Sequence, residues 1–476
     1  STWQRYNGSS WVAATAVPTS AHKLITVQSG HTVTVTANVT VDEVVVSSGG
    51  TLSLNTGITL TVANGSGTDF SVSGTFRNAG TVTINSSATI AYQASGTYQH
   101  NYSTTAGVIP TASWATGSSC EIVGYTTNSS TPTGMQSFYN FVWNCPSQSS
   151  AITLNGTLTS VNGNFSIVST GSSELRVATN ASTLSVGGDF IQTGGNLTLS
   201  TASGITSTIN VAGDFSLEGG TFSVVNGSNS TGKINLSGNY SHTGGTLLVG
   251  GNASTLAQVI FKKSGSQNFV SSGNNVLSNV DFIVNSGSVL VMGTNVCYGR
   301  NFTLSNGGGI DIGKSDGISL SSATGNVQSS GTRTFNTGSD YTFSGSVAQV
   351  CGDGMPATVR NLKINNPGDL TLPGSVTVSG TLTFINGRIV TGSNTLHVSN
   401  TSTSSVVGNS NASYVIGNLR RSVLPTGNYE FPIGTPEYYE LISSNLVVAL
   451  GFSSILATFT QTDPLLPAFP LSGIRS

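Results

Sequence analysis

A short phrase returning at a fixed step limits what this chain can fold into. Gly163-Asn164-Phe165, Gly188-Asp189-Phe190, Gly213-Asp214-Phe215 and Gly238-Asn239-Tyr240 follow one another at intervals of 25 residues. Val161, Val186, Val211 and Leu236 keep the same step ahead of the glycines. Gly-Gly pairs starting at Gly194, Gly219 and Gly244 keep it behind them, as do Leu197, Phe222 and Leu247. A period of this size marks stacked units, none of which buries its apolar face alone. Inside each period run alternating stretches such as Leu197-Thr198-Leu199 and Phe222-Ser223-Val224, which place successive side chains on opposite faces of a strand. Helical spacing is absent, so each unit reads as short strands joined by Gly, Asn and Ser turns. The predicted fold is all-β, a right-handed parallel β-helix of about 25 residues per rung with Val, Leu, Ile and Phe stacked inside it. A leucine-rich horseshoe would need a helical half, and a propeller blade a longer period.

Only 7% of the 476 residues are charged and 37% are apolar. A single globular core rarely grows to this length, whereas a solenoid core is one-dimensional and escapes that limit. Ser, Thr, Asn and 59 Gly take over the work of charged surface. The 16 basic and 18 acidic residues are scattered and leave a net charge of −2, which excludes the basic footprint of a nucleic-acid partner. No apolar run reaches the length that spans a bilayer, so membrane insertion is not expected. The chain opens at Ser1 with no leader, as expected of a mature chain after signal cleavage or of a trimmed one. Its low charge and a cysteine pair one period apart favour an extracellular or cell-surface setting.

Residues 1–24 do not repeat and are expected to form an N-terminal cap, with Trp3 and Trp11 over the first rung. Residues 25–412 are assigned to the β-helix; at about 25 residues and about 4.8 Å per rung they would give about 15 rungs and a rod of about 70 Å. Within them, residues 91–150 hold Trp114, Tyr125, Phe138, Tyr139, Phe141, Trp143, Cys120 and Cys145, and read as an aromatic excursion on one face. Near residue 412 the glycine spacing ends. Six of the 13 prolines fall after Tyr414, and strands expected at 446–450 and 455–460 suggest the start of an antiparallel β-sandwich. Residues 413–476 are thus either a C-terminal cap or the first part of a domain cut at Ser476.

Several phrases resemble large secreted β-repeat proteins of the Bacteroidetes. They are Val27-Gln28-Ser29-Gly30-His31-Thr32-Val33-Thr34-Val35 behind Trp11 and Val17-Pro18-Thr19-Ser20, Phe141-Val142-Trp143-Asn144-Cys145-Pro146, the run Ala357 to Asn366, and Gly417-Asn418-Leu419-Arg420-Arg421 ahead of Phe431-Pro432-Ile433-Gly434. The resemblance covers most of the chain and implies export by type IX secretion machinery, surface display or release, and adhesin-like or structural roles. It brings no catalytic residues. One departure is the lack of a type IX sorting domain after residue 413, which implies a fragment of a longer chain.

Asp189 and Asp214 are the foremost candidates for chemistry, since stacking would set their backbones about 4.8 Å apart. Such a pair could serve acid–base catalysis in sugar cleavage or hold Ca²⁺, the one cofactor considered. Asn164 and Asn239 share their register, however, and an Asx side chain beside a turn glycine commonly bonds its own turn, so a turn ladder is the preferred reading. Asp281, Asp311, Asp316, Asp340 and Asp353 look spread singly, with Lys314 the only base flanked closely by acids. His22, His31, His100, His242 and His397 lack ligand spacing and read as surface or turn residues. Cys120 and Cys145, 25 apart, are expected to form a disulfide, whereas Cys297 and Cys351, 54 apart, are not. The row Thr32, Thr34 and Thr36 is of the kind ice-binding faces use, but nothing matches it at the 25-residue step. The expectation is therefore a non-enzymatic surface protein, a rigid stalk or filament component that self-associates, continues into further domains or meets cell-surface glycan. The alternative is a polysaccharide-binding or polysaccharide-cleaving β-helix.

Overall fold

The computed structural model describes residues 3–272, 277, 279–448 and 451–459. The chain is a parallel β-solenoid built as two compact units, Ser1–Val259 and Ile260–Ser476. Among the described residues there is no α-helix, and the one helical turn is the 3-10 segment Thr403–Ser405. No helix is long and apolar enough to cross a membrane.

In the first unit each coil contributes one strand to each of three sheets. Phe165–Ser169, Leu175–Ala178 and Thr183–Val186 make one such coil, and Phe190–Gln192, Asn196–Ser200 and Thr206–Val211 the next. Parallel pairing sets like on like: Phe165 opposite Phe190, Leu175 opposite Leu197, Val186 opposite Val211. The alternation of period two thereby becomes columns of buried side chains along the stack. Phe141, Phe165, Phe190, Phe215 and Tyr240 form one such column, with ring centroids 5.8, 5.7, 5.1 and 5.5 Å apart and every ring buried. Fully burying a side chain of this class contributes roughly 1.5–3 kcal/mol relative to leaving it exposed.

The repeated glycines are where backbones of successive coils nearly touch. A Cβ on Gly238 would lie 2.1 Å from the carbonyl oxygen of Gly213. The second member of each Gly-Gly pair has a further reason: Gly195, Gly220 and Gly245 have φ of 67, 71 and 67°, left-handed backbone that other residues adopt only under strain.

Coil length is less uniform than the central repeats suggest. The step is 19 residues from Thr32 to Thr51, 24 from Thr51 to Thr75 and 22 from Thr75 to Thr97, yet these four threonines are in register. The Thr row therefore does recur on successive coils, in correction of the reading from a 25-residue step. Its neighbouring column runs Thr34, Ser53, Arg77, Gln99, so long side chains interrupt the hydroxyl face from the third coil on.

Residues 91–150 continue the stack and make no excursion. Thr97–His100, Ser119–Ile122 and Asn140–Asn144 pair in order. Tyr125, Phe138, Phe141 and Trp143 point inward and are buried, because the aromatic positions fall on the core side of the alternation. At the N-terminus, Gln4–Tyr6 and Trp11–Ala13 form an antiparallel hairpin, and the stack begins with Ile25–Val27 paired to Val44–Val46. Trp11 stays 63% exposed, with its ring centroid 5.6 Å from that of Tyr6, so it does not cover the first rung.

The second unit carries the same parallel stacking through Ser288–Val291, Gly309–Ile312, Asp340–Phe343, Asn361–Asn365 and Leu382–Asn386. The sandwich expected after residue 413 is not what the described residues form. Val415–Ser422 pairs in parallel with Ile389–Val398 and so extends a solenoid sheet. Gly427–Gly434, Tyr439–Leu446 and Ser454–Ala457 join that same sheet, the last two by antiparallel pairing. Of the strands expected at 446–450 and 455–460, Ala449, Leu450 and Thr460 lie outside the described residues, as do residues 460–476 of the expected domain.

Candidate functional site

Asp189 and Asp214 do occupy equivalent places on adjacent coils, and the structure gives them a structural task. Asn140 Oδ1 accepts the backbone N–H of Asn164 at 2.9 Å, Asn164 Oδ1 that of Asp189 at 2.8 Å, and Asp189 Oδ1 that of Asp214 at 2.8 Å. Asp214 Oδ1 accepts that of Asn239 at 2.7 Å, and the Asn239 side-chain amide donates to both Asp214 oxygens at 3.1 and 3.2 Å. The preferred turn reading is corrected in one respect: each Asx side chain bonds the next coil and not its own turn. The reason is geometric, since the glycine ahead of each Asx lets the coils approach closely enough for a short side chain to reach across. Among the described residues no group of three or more His, Cys, Asp or Glu is placed to hold a metal ion.

The disulfide between Cys120 and Cys145 is corrected as well. All four cysteines are free and buried. The coil between these two is 21 residues long, which puts Phe141 opposite Cys120 and leaves Cys145 beyond the paired residues. The Cys145 thiol instead faces the carbonyl of Ile122 at 3.4 Å. Burial raises the Cys120 thiol well above its ordinary range and pushes Cys145 and Cys297 up to about 12, so none is poised as a nucleophile. Cys351 is raised by the same cause.

Two histidines read as surface residues belong to the core. His100 and His242 take inward positions at the ends of the strands Thr97–His100 and Tyr240–His242 and are buried. His100 Nδ1 lies 3.0 Å from Tyr98 Oη, while Nε2 lies 2.8 Å from the Ala106 carbonyl and 3.0 Å from Tyr125 Oη. Desolvation lowers its pKa to about 4, outweighing the opposing effect of the Ala106 hydrogen bond. A histidine neutral at all physiological pH values and enclosed by tyrosines is a core hydrogen-bonding group, with no route to a substrate.

The acids that looked solitary are paired by coil length. Asp281 with Arg300, Asp340 with Arg360 and Asp369 with Arg388 each make an ion pair of 2.7 Å with two nitrogens on the carboxylate. The separations of 19, 20 and 19 residues match the short coils of the second unit, which is the sequence signal that could have revealed them. Asp311, by contrast, is held by Ser344, and burial raises its pKa against the lowering effects of Ser344 and Lys363.

The class of protein defined by these coils is a parallel β-solenoid whose polar residues hold one coil to the next. Compared with family models, curated proteins and solved structures, the chain finds no match.

Proposed function

We propose that this chain is a non-enzymatic structural protein of the cell surface or extracellular space, acting as a stiff β-helical stalk or filament component. The observation that carries the reading is the Asx ladder from Asn140 to Asn239, in which the two best-placed carboxylates serve the backbone of the next coil. A general acid or nucleophile must be free to exchange protons or bonds with a substrate, and a carboxylate locked to backbone amides is not. Support also comes from the Asp–Arg pairs, whose donors and acceptors satisfy one another across coils. The setting outside the cell, a route through type IX secretion, self-association and adhesion to cell-surface glycan belong to this proposal.

The test is incubation with neutral and acidic polysaccharides, followed by measurement of reducing ends and of unsaturated sugar products. No product is expected. Turnover that disappears in Asp189→Asn or Asp214→Asn would overturn the reading.

A further inference from the structure

A groove on the first unit is built by four coils and has no part in the ladder. Its floor lies on the sheet formed by Leu175–Ala178, Asn196–Ser200, Thr221–Val225 and Thr246–Val249. The outward side chains there run Arg176, Thr198, Ser223, Leu248 in register. Two small residues between two large ones leave a trough across successive coils. It encloses about 350 Å³, and Glu174, Asn196, Thr221 and Asn226 stand around the floor. Thr198 and Ser223 face outward on their strands yet are each only 2% exposed.

The lining is organised by hydrogen bonds. Thr198 Oγ1 donates to Glu174 Oε2 at 3.1 Å, and Ser223 Oγ donates to Asn226 Oδ1 at 2.5 Å. The other Glu174 oxygen holds the Arg176 guanidinium, with Nε at 2.6 Å. The groove's one carboxylate is therefore neutralised within its wall. Asn196 turns its amide nitrogen to the Ser173 carbonyl at 3.1 Å. Among the described residues, its Oδ1 and the Thr221 hydroxyl make no hydrogen bond within the protein. These are directional polar groups repeated at the coil spacing of about 4.8 Å, beside the half-exposed aliphatic wall of Leu248.

We infer that this groove binds a neutral, hydroxyl-rich chain, an uncharged oligosaccharide lying across the coils with sugar hydroxyls on Asn196 and Thr221 and a sugar C–H face on Leu248. The wall excludes an anionic chain, since its single cation is already paired, and offers a cationic one only a carboxylate already satisfied. A purely apolar ligand would bury the amide and hydroxyl groups unpaired, which is costly. Binding is expected to be weak and additive along the chain, because no aromatic platform lines the groove. The inference goes beyond the stalk reading and does not depend on it, since a stalk without turnover and a stalk with a sugar groove are separable.

The test titrates the full chain with cellohexaose, laminarihexaose, xylohexaose and mannohexaose, and with hexagalacturonate as the acidic counterpart. Saturation-transfer NMR reads binding, and chromatography reads the integrity of each sugar. At least one neutral hexasaccharide should saturate, and the variant Asn196→Ala/Thr221→Ala should bind it about tenfold more weakly. Leu248→Glu, at a position already exposed, should weaken it similarly and serves if the double variant fails to fold. Hexagalacturonate should bind at least about tenfold more weakly than the best neutral sugar. The inference fails if no neutral sugar saturates, if both variants bind within twofold of the parent, or if the acidic chain binds as tightly. Cleavage of a bound sugar would overturn the non-enzymatic reading while leaving the groove assignment standing.

Discussion

Asp214 accepts the backbone N–H of Asn239 on the next coil at 2.7 Å, in the same way that Asp189 accepts that of Asp214. What the acceptor must supply here is an oxygen, and Asn supplies one as well as Asp does. Asn140 and Asn164 fill the equivalent places on neighbouring coils. The double substitution Asp189→Asn/Asp214→Asn should therefore leave the thermal midpoint unchanged, whereas Asp189→Ala/Asp214→Ala should cost about 1–2 kcal/mol for two lost hydrogen bonds. Calcium and chelator should move neither midpoint. A drop on adding chelator, abolished in the Asn variant, would establish a metal site instead.

Phe190 sits in the middle of the aromatic column, 5.7 Å from Phe165, 5.1 Å from Phe215 and 5.1 Å from Phe222. Coils above and below fix its neighbours, so the space left by truncation cannot close readily. Phe190→Ala should destabilise the first unit by about 3–5 kcal/mol, and Phe190→Leu by distinctly less. Chemical denaturation of the two variants measures both values, and equal losses would mean that the column is not tightly packed.

The four cysteines should behave as buried thiols. Native protein is expected to react with no thiol reagent at neutral pH, and unfolded protein with four equivalents per chain. Reductant should leave the thermal midpoint where it was. Only two reactive thiols in the unfolded, unreduced chain would restore the Cys120–Cys145 disulfide.

The solenoid was legible because four consecutive coils, from Gly163 to Tyr240, happen to be the same length. Elsewhere the step from one coil to the next ranges from 19 residues, at Thr32 to Thr51, to 31, at Gly309 to Asp340, and a fixed period misplaces every neighbour. That is why Cys145 was set against Cys120 when Phe141 is opposite it, and why Asp340 was read as solitary with Arg360 one short coil away. The excursion expected at 91–150 failed on a related point. Aromatic residues in a polar β sequence suggest a binding face, but Trp143 and Phe141 fall on inward positions of a strand whose alternation is unbroken. The groove was invisible for another reason: it depends on which outward residues of three separate coils are small, and Thr198 and Ser223 carry no motif.

His100 makes the stability of the first unit depend on pH. The unfolded chain takes up its imidazole proton near pH 6.5, while the folded chain, with the ring enclosed by Tyr98, Tyr125 and the Ala106 carbonyl, resists it down to about pH 4. Because the folded pKa is the lower one, the stabilisation is complete above pH 6.5 and drains away as pH falls from 6.5 to 4. A difference of this size corresponds to about 3 kcal/mol over that window. His100→Gln keeps a buried hydrogen-bonding amide that carries no proton in this range. It should lower stability at pH 7.5 yet lose less on acidification, so the two curves converge toward pH 4. His242, whose pKa burial also lowers, is present in both proteins and cancels in the comparison. Urea denaturation at half-unit steps from pH 7.5 to 4 measures the difference, and parallel curves for parent and variant would show that the imidazole is protonated alike in the folded and unfolded chains.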